Sequence, residues 1–351
     1  MIVGIDVHKD SHTAGLLDPT GREIATLRFA NSHKGVERLR DWLAGHDAAG
    51  ALVGIENAAG YGRLLCGELA ATGHEVLNVP AWRVHRDRPT HGAGKSDPAD
   101  AIAIAHVVLR KREKLGSAVE PEIVRAVALL EVARRQAVAA RTEQIQRLRA
   151  IWTQTDPEAE IAVAACTSQR ALKRLKRIAF GEGLAERTAA GLVRELARDI
   201  EHLNQRIAEL EAQLANLLYD RGNPVEDLCG AGPAVAAALI AHAGDVRRFR
   251  DKAAFARFCG VAPVPCGSGR TADRHRLDRG GNRQLNAALH RIALVQARHE
   301  PRAQAFLARK HAEGKTKREA RRALKRHLAN VVYRRLLDWA ENLATSEPHL
   351  T

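Results

Sequence analysis

Ile2-Val3-Gly4-Ile5-Asp6-Val7 is a short β-branched run with one carboxylate inside it, and Ala51-Leu52-Val53-Gly54-Ile55-Glu56 is a second run that ends on another. Both read as buried strands. Between them, Thr13 to Leu17 and Glu23 to Phe29 read as a hairpin across the turn Asp18-Pro19-Thr20-Gly21, and Gly35 to Leu43 carries a helical pattern. A helix over Tyr61 to Ala71 and a strand over Glu75 to Val79 follow. Three meandering strands and then α/β alternation predict a mixed sheet flanked by helices. The stretch Arg83 to Lys95 is basic and rich in Gly, Pro and His, a loop ahead of a helix that opens at Ser96-Asp97-Pro98. Ser96 or Asp97 is its expected cap, and Pro98 suits the first turn.

From about Pro121 to Asp220 the pattern is almost wholly helical. Leu192, Leu196, Ile200, Leu203, Ile207, Leu210, Leu214 and Leu217 recur at steps of three and four, a heptad seam with charges between. Such a seam packs against its own chain, with Val127 to Leu148 as a partner, or pairs two protomers; both remain open. Gly222-Asn223-Pro224 ends it. The last third is helical again, broken by a Gly-rich stretch at Cys266 to Asn282. The expected division is an α/β domain over 1–118, a helical, coiled-coil region over 119–222 and a mainly α domain over 223–351.

The 351 residues carry 55 Lys and Arg against 41 Asp and Glu, a net charge of +14, with 43 of the cations Arg. That balance points to a polyanionic partner, most simply nucleic acid. No apolar run approaches the ~20 residues of a membrane span. The first residues, with Asp6 and Asp10, lack the pattern of a signal peptide. Cys66, Cys166, Cys229, Cys259 and Cys266 form no Cys-x-x-Cys pair, which argues for a reducing cytoplasm and against a disulfide frame or structural zinc.

Four carboxylates stand out. Asp6 sits within an apolar strand and Glu56 ends another, where desolvation is costly unless a cation meets the charge. Asp97 and Asp100 are three apart at a helix start and share a face. Converging at one sheet edge, such acids hold one or two Mg²⁺ ions; capping is the competing role for Asp97. This is the layout of a ribonuclease-H-like fold. A second group is Ser268 between two glycines, with Arg270, Arg274, Arg276, Arg279 and Arg283 around it. That hydroxyl is either a nucleophile for a phosphodiester or part of a loop that binds phosphate passively. Gly230 and Gly232 open an Ala-rich helix in a helix-hairpin-helix-like turn that can bind phosphate. Lys317, Arg321 and Arg322 belong to a basic run that suits phosphate contacts.

Gly4-Ile5-Asp6-Val7 through Lys9, Ile55-Glu56-Asn57, Lys95-Ser96-Asp97-Pro98-Ala99-Asp100-Ala101 and the block from Gly260-Val261-Ala262-Pro263 through Ser268 to Arg279-Gly280-Gly281-Asn282-Arg283 together resemble the DEDD-type transposases of bacterial insertion sequences (family one hundred and ten). The likeness runs over nearly the whole chain in order, with no departure at the catalytic positions. It implies a RuvC-like N-terminal domain, a coiled-coil middle and a C-terminal transposase domain. It carries over Asp6, Glu56, Asp97 and Asp100 as ligands of Mg²⁺ (or Mn²⁺) and Ser268 as nucleophile. Asn282 and Arg283 fall with the other arginines among the expected nucleic-acid contacts. It further implies recombination of donor and target DNA guided by a structured RNA from the element. Exchange of strands between two duplexes needs several active sites held together, so a homo-dimer or tetramer is expected. The alternatives are a metal-only endonuclease or Holliday-junction resolvase that uses water, and a non-catalytic nucleic-acid-binding protein.

Overall fold

The computed structural model describes residues 1–56, 58, 60–81, 83–84, 96–156, 166–265, 275–277 and 280–346. Its first elements are β1 (Ile2–Val7), β2 (Ser11–Leu17), β3 (Glu23–Ala30), α1 (His33–Gly45), β4 (Leu52–Glu56), α2 (Arg63–Ala71), β5 (Val76–Val79), α3 (Asp97–Lys111) and β6 (Gly116–Ser117). The strands lie in the order β3-β2-β1-β4-β5-β6. β1, β4 and β5 run parallel, while β2, β3 and β6 are antiparallel to their neighbours. The expected mixed sheet is therefore present, with the short edge strand β6 as an addition.

Alternation along β1 assigns its two faces. Val3, Ile5 and Val7, with Val53 and Ile55 of β4, bury against Leu39 and Leu43 of α1 and Leu65 and Leu69 of α2. The opposite face carries Gly4, level with Gly15 of β2 and Gly54 of β4. A Cβ on Gly4 would strike the Ala101 carbonyl oxygen and the Ala105 amide of α3; on Gly15 it would meet Ile102, and on Gly54, Val108. A row of missing side chains thus forms a trough, and α3 lies in it with backbone against backbone.

The later elements are α4 (Glu122–Thr155), α5 (Gln169–Leu175), α6 (Leu184–Arg221), α7 (Pro233–Ala243), α8 (Lys252–Phe258), β7 (Pro263–Pro265), β8 (His275–Leu277), α9 (Arg283–His299), α10 (Pro301–Ala312) and α11 (Lys317–Ser346). The chain forms two compact units, each discontinuous in sequence. The first takes the described residues of 1–122, 244–281 and 329–346. In it the 3₁₀ turn Val246–Arg248 packs against β6, where the Arg248 backbone leaves no space for a Cβ on Gly116. Phe249, Phe255 and Tyr333 add a ring cluster, and the Tyr333 hydroxyl donates to the Phe249 carbonyl at 3.3 Å.

The second unit takes the described residues of 123–243 and 282–328. Here the heptad seam packs within the chain: Ile200, Ile207, Leu210 and Leu214 are buried. Arg141 donates to Asn204 at 2.9 Å and Arg134 to Glu211 at 3.4 Å, so α4 and α6 run antiparallel. At the same crossing Arg134 forks onto Glu131 through Nε–Oε2 at 2.8 Å and Nη2–Oε1 at 3.3 Å, and Glu131 is only 2% exposed. Of the two partners open to the seam, the structure takes the intramolecular one. Among the described residues no helix is long and apolar enough to cross a membrane, and Cys66, Cys166, Cys229 and Cys259 form no disulfide.

The buried pair fixes this packing because removing one partner strands a charge in a low dielectric. Arg134→Met is expected to cost about 3–5 kcal/mol, and Glu131→Leu with Arg134→Met less than the single change. Urea denaturation measures both, and a single-variant loss under ~1 kcal/mol would show that the pair holds nothing.

Candidate active site

Gly4 and Asp6 are two apart on β1, so the carboxylate projects on the face where α3 lies. The parallel register that sets Ile5 beside Ile55 carries Glu56 level with Asp6, two residues past Gly54. On the other side Thr13 pairs with Asp6, two residues before Gly15. A polar row, Thr13, Asp6 and Glu56, therefore stands one step beyond the glycine row, at the end of the trough where α3 begins. Asp97 and Asp100 occupy the first turn of α3, where the helix dipole favours negative charge. Ser96 sits at the N-cap with extended backbone, but its side chain makes no capping hydrogen bond. Asp97 is itself the first helical residue, so neither of the two expected caps closes this end by a side-chain bond.

The His8 Nε2 atom lies 3.2 Å from Asp6 Oδ2 and 3.7 Å from Asp97 Oδ1. One ligand atom from each of the three residues falls within 4.8 Å of the others. Asp6 is 14% exposed and His8 53%, so the group opens to solvent on one side. The structure thus brings together two of the four expected acids, from segments about ninety residues apart in sequence. Glu56 and Asp100 are half-buried at the same end of the sheet, outside that group of three. His8 is the residue that reading the acids alone does not find. Its signal was available, because positions i and i+2 at a strand end share a face.

The donor set fits a divalent cation. Two carboxylates this close repel each other unless positive charge joins them, and hard oxygens with one imidazole suit such an ion. An imidazole nitrogen also favours Mn²⁺ over Mg²⁺, which prefers oxygen alone. Beside Asp97 a groove of about 390 Å³ is lined by Thr13, Thr26, Leu27, Arg28, Ser96 and Pro98. Arg28 donates to the Ser11 hydroxyl at 3.2 and 3.3 Å through Nη2 and Nε, which leaves N–H groups for an anion. Behind the site, on the face of Val7, His12 is buried edge-on against Phe29. Burial holds its pKa below the usual imidazole range. Burial also pushes the Cys66 thiol up to about 12, so it stays protonated and inert.

Ser268, Arg270, Arg274 and Arg279 lie outside the described residues. The strands that bracket this stretch are described: β7 and β8 pair antiparallel, with Val264 opposite Arg276. Both belong to the same compact unit as the acids. In that unit Gly281 packs directly on the Gly260 backbone, with no room for a Cβ, which gives Gly281 a packing role. Asn282, expected to touch nucleic acid, caps α9 by accepting from the Gln284 and Leu285 amides at 3.0 Å. Arg283 begins that helix and is exposed. Gly230 has φ of +88° and presses on Val295 and Ile292, whereas Gly232 faces open space at the start of α7. Lys317 and Arg322 are exposed on α11, and Arg321 is half-buried.

Comparison with known proteins places these features. A family model for DEDD transposases of the IS110 type matches residues 3–157, and one for transposases of the IS116/IS110/IS902 family matches 223–308. The first covers the mixed sheet, and a DEDD transposase domain fits the ribonuclease-H-like reading of it. The 44.8 kDa protein of insertion element IS116 from Streptomyces clavuligerus is 26% identical, over 99% of this chain and 97% of its own length. The 43.6 kDa protein of IS110 from Streptomyces coelicolor is 24% identical, over 96% and 94%. The 42 kDa protein of IS900 from Mycobacterium paratuberculosis is 25% identical, over 96% of each.

The trough makes a prediction that separates packing from chemistry. Gly4→Ala forces α3 off β1 and is expected to lower stability by about 1–3 kcal/mol, while weakening Mn²⁺ binding to the Asp6–His8–Asp97 group. Gly67→Ala, where a Cβ meets nothing within 4 Å, is the control. Calorimetric Mn²⁺ titration and thermal melts read both, and undiminished Mn²⁺ affinity in a folded Gly4→Ala protein would refute the account.

Proposed function

Since this chain carries both transposase domains of the IS110/IS116 insertion-element family, and so cuts and rejoins DNA, we propose that it is an RNA-guided, site-specific recombinase that mobilises its own element. The observation that carries the reading is the Asp6–His8–Asp97 group at the head of α3, beside a groove that offers Arg28 to an anion. Asp6 and Asp97, with Glu56 and Asp100 behind them, serve Mg²⁺ or Mn²⁺. Bound there, a divalent cation neutralises charge that builds on the phosphate.

Ser268 is the nucleophile in this proposal. Its Oγ attacks phosphorus, an O–P bond forms, the bond to the departing strand breaks, and the departing oxygen takes up the proton. The phosphoserine diester keeps the energy of the broken bond, so attack by a second strand rejoins DNA without ATP. Support comes from the bracketing strands β7 and β8, which share a compact unit with the acids. The three-part division at 118 and 222 is kept as a functional one: cutting acids, helical spacer, serine-bearing region. Guidance by a structured RNA follows from the family likeness and suits a net charge of +14. Exchange between donor and target needs two cutting sites at least, hence a homo-dimer or tetramer. Its contact lies outside the buried part of the seam, on surfaces such as exposed Leu184 and Tyr219 and the exposed first seam residue, Leu192.

Asp6→Asn is expected to leave binding intact and to slow cleavage by about a hundredfold or more, since several kcal/mol of charge stabilisation go with the metal. Ser268→Ala must abolish any covalent protein–DNA adduct on a nicked suicide substrate, with binding preserved. Wild-type cleavage with free ends in Ser268→Ala would mean that water attacks, and the metal-only endonuclease or junction resolvase would replace the recombinase. RNA that copurifies with the protein is expected to contain segments complementary to donor and target; sequencing that finds none would remove the guide from the proposal.

A further inference from the structure

The short helix α5 has two unlike faces. Ser168 caps it, accepting from the Ala171 amide at 3.2 Å. Leu172 and Leu175 bury with Ile145 and Leu148 of α4 and Val193 and Ile200 of α6. On the outside stand Arg170, Lys173 and Arg174, with Arg177 in the turn that follows, all exposed. Spacing of three and four puts Arg170, Lys173 and Arg174 on one side of the helix, and Arg177 continues that stripe beyond its end. They line, with Gln169, a groove of about 560 Å³.

Three observations separate this stripe from an ordinary solvated face. First, no Asp or Glu occurs from residue 166 to residue 181. Second, none of the four cations has an ion-pair partner among the described residues, whereas cations on longer helices do: Arg147 with Glu143 at 2.6 Å, Arg206 with Glu209 at 3.3 Å, Lys310 with Glu313 at 2.7 Å. Lys176, next in sequence but turned off the stripe, pairs with Glu201 at 2.7 Å. Third, like charges three and four apart, as Arg170 is from Lys173 and Arg174, destabilise a helix, a burden for one of seven residues. Three of the four are Arg, whose fork grips phosphate oxygens bidentately.

We propose that this face of α5 is a docking surface for the phosphodiester backbone of a nucleic acid, gripping it without reading bases. The proposal rests on the reading of this chain as a nucleic-acid enzyme, yet it locates a contact which that reading does not supply. At 1.5 Å per residue the seven-residue helix runs ~10 Å, and phosphates follow one strand of a duplex every ~3.4 Å. It therefore spans about three phosphates.

The test uses the full-length protein without added metal, so it reads binding whether or not the chain cuts as proposed. The variant Arg170→Gln, Lys173→Gln, Arg174→Gln, Arg177→Gln is titrated over a range of salt against duplex DNA, single-stranded DNA and duplex RNA of one length. For the backbone that α5 holds, the slope of log affinity on log salt should become shallower by about 3, at ~0.9 per phosphate contact, with affinity down about a hundredfold at ~0.15 M salt. The probe that shows the loss identifies the strand type; loss with all three means any backbone serves. Replacing Arg170, Arg174 and Arg177 with Lys should keep most of the slope, and Arg147→Gln with Arg206→Gln should keep all of it. Thermal melts check that each variant folds. An unchanged slope with all three probes, or an equal loss in the Arg147, Arg206 control, overturns the proposal.

Discussion

Everything at the candidate site depends on how closely α3 approaches β1. The backbones meet because Gly15, Gly4 and Gly54 stand in one row across three neighbouring strands, and each leaves out a side chain where the helix lies. Glycine weakens a strand, since it costs backbone entropy and packs nothing. Here the deficit is made good by Ile104, Val107 and Val108, which bury on that face with Leu77 and Val79. The result is positional. Asp97 begins the helix, Asp6 lies two residues past the central glycine, and a trough without side chains leaves little freedom in the distance between them.

Much of this was legible in the sequence. Gly4-Ile5-Asp6 and Gly54-Ile55-Glu56 repeat one pattern on two apolar runs, and in parallel strands the repeat stacks glycine on glycine and acid beside acid. What no pattern supplies is the partner across the sheet. Thr13-Ala14-Gly15 has the reverse order because β2 is antiparallel, and its alignment depends on the turn at residues 8–11. The same limit applied to the heptad seam. Periodicity states that a face is apolar, not what covers it; Arg141 on Asn204 and Arg134 on Glu211 decide for α4 of the same chain. His8 escapes for a different reason: charge singles out acids as ligands and passes over an imidazole in the strand register.

Compactness in space follows other lines than composition. Composition divides the chain into three consecutive blocks, while the contacts gather the described residues of 1–122, 244–281 and 329–346 into one unit. The joints are small and backbone-led. Gly116 lies against the Arg248 backbone, and Gly281 against Gly260. Arg248 itself is stacked over Phe249 and Phe258, at 4.4 and 4.6 Å from the ring centroids. Such contacts leave no periodic trace, because a glycine under another segment looks like a glycine in any turn.

The charge distribution also follows from the chemistry. An active site made of carboxylates repels the phosphate it must cut, and at ~4 Å two unit charges near a protein surface interact by about 4 kcal/mol. A chain that uses acids to cut must therefore hold its substrate elsewhere, with cations left free for it. Where Lys and Arg serve the fold, they are paired: Arg134 with Glu131 and Glu211, Arg247 with Asp245, Lys176 with Glu201. The outward cations Arg170, Lys173 and Arg174 of α5, and Arg177 just past it, are not, among the described residues. The excess of +14 is thus no uniform coat, since the paired cations cancel in place and the unpaired ones are left to counter the repulsion of the acids. Affinity gathered through phosphates alone is insensitive to base sequence.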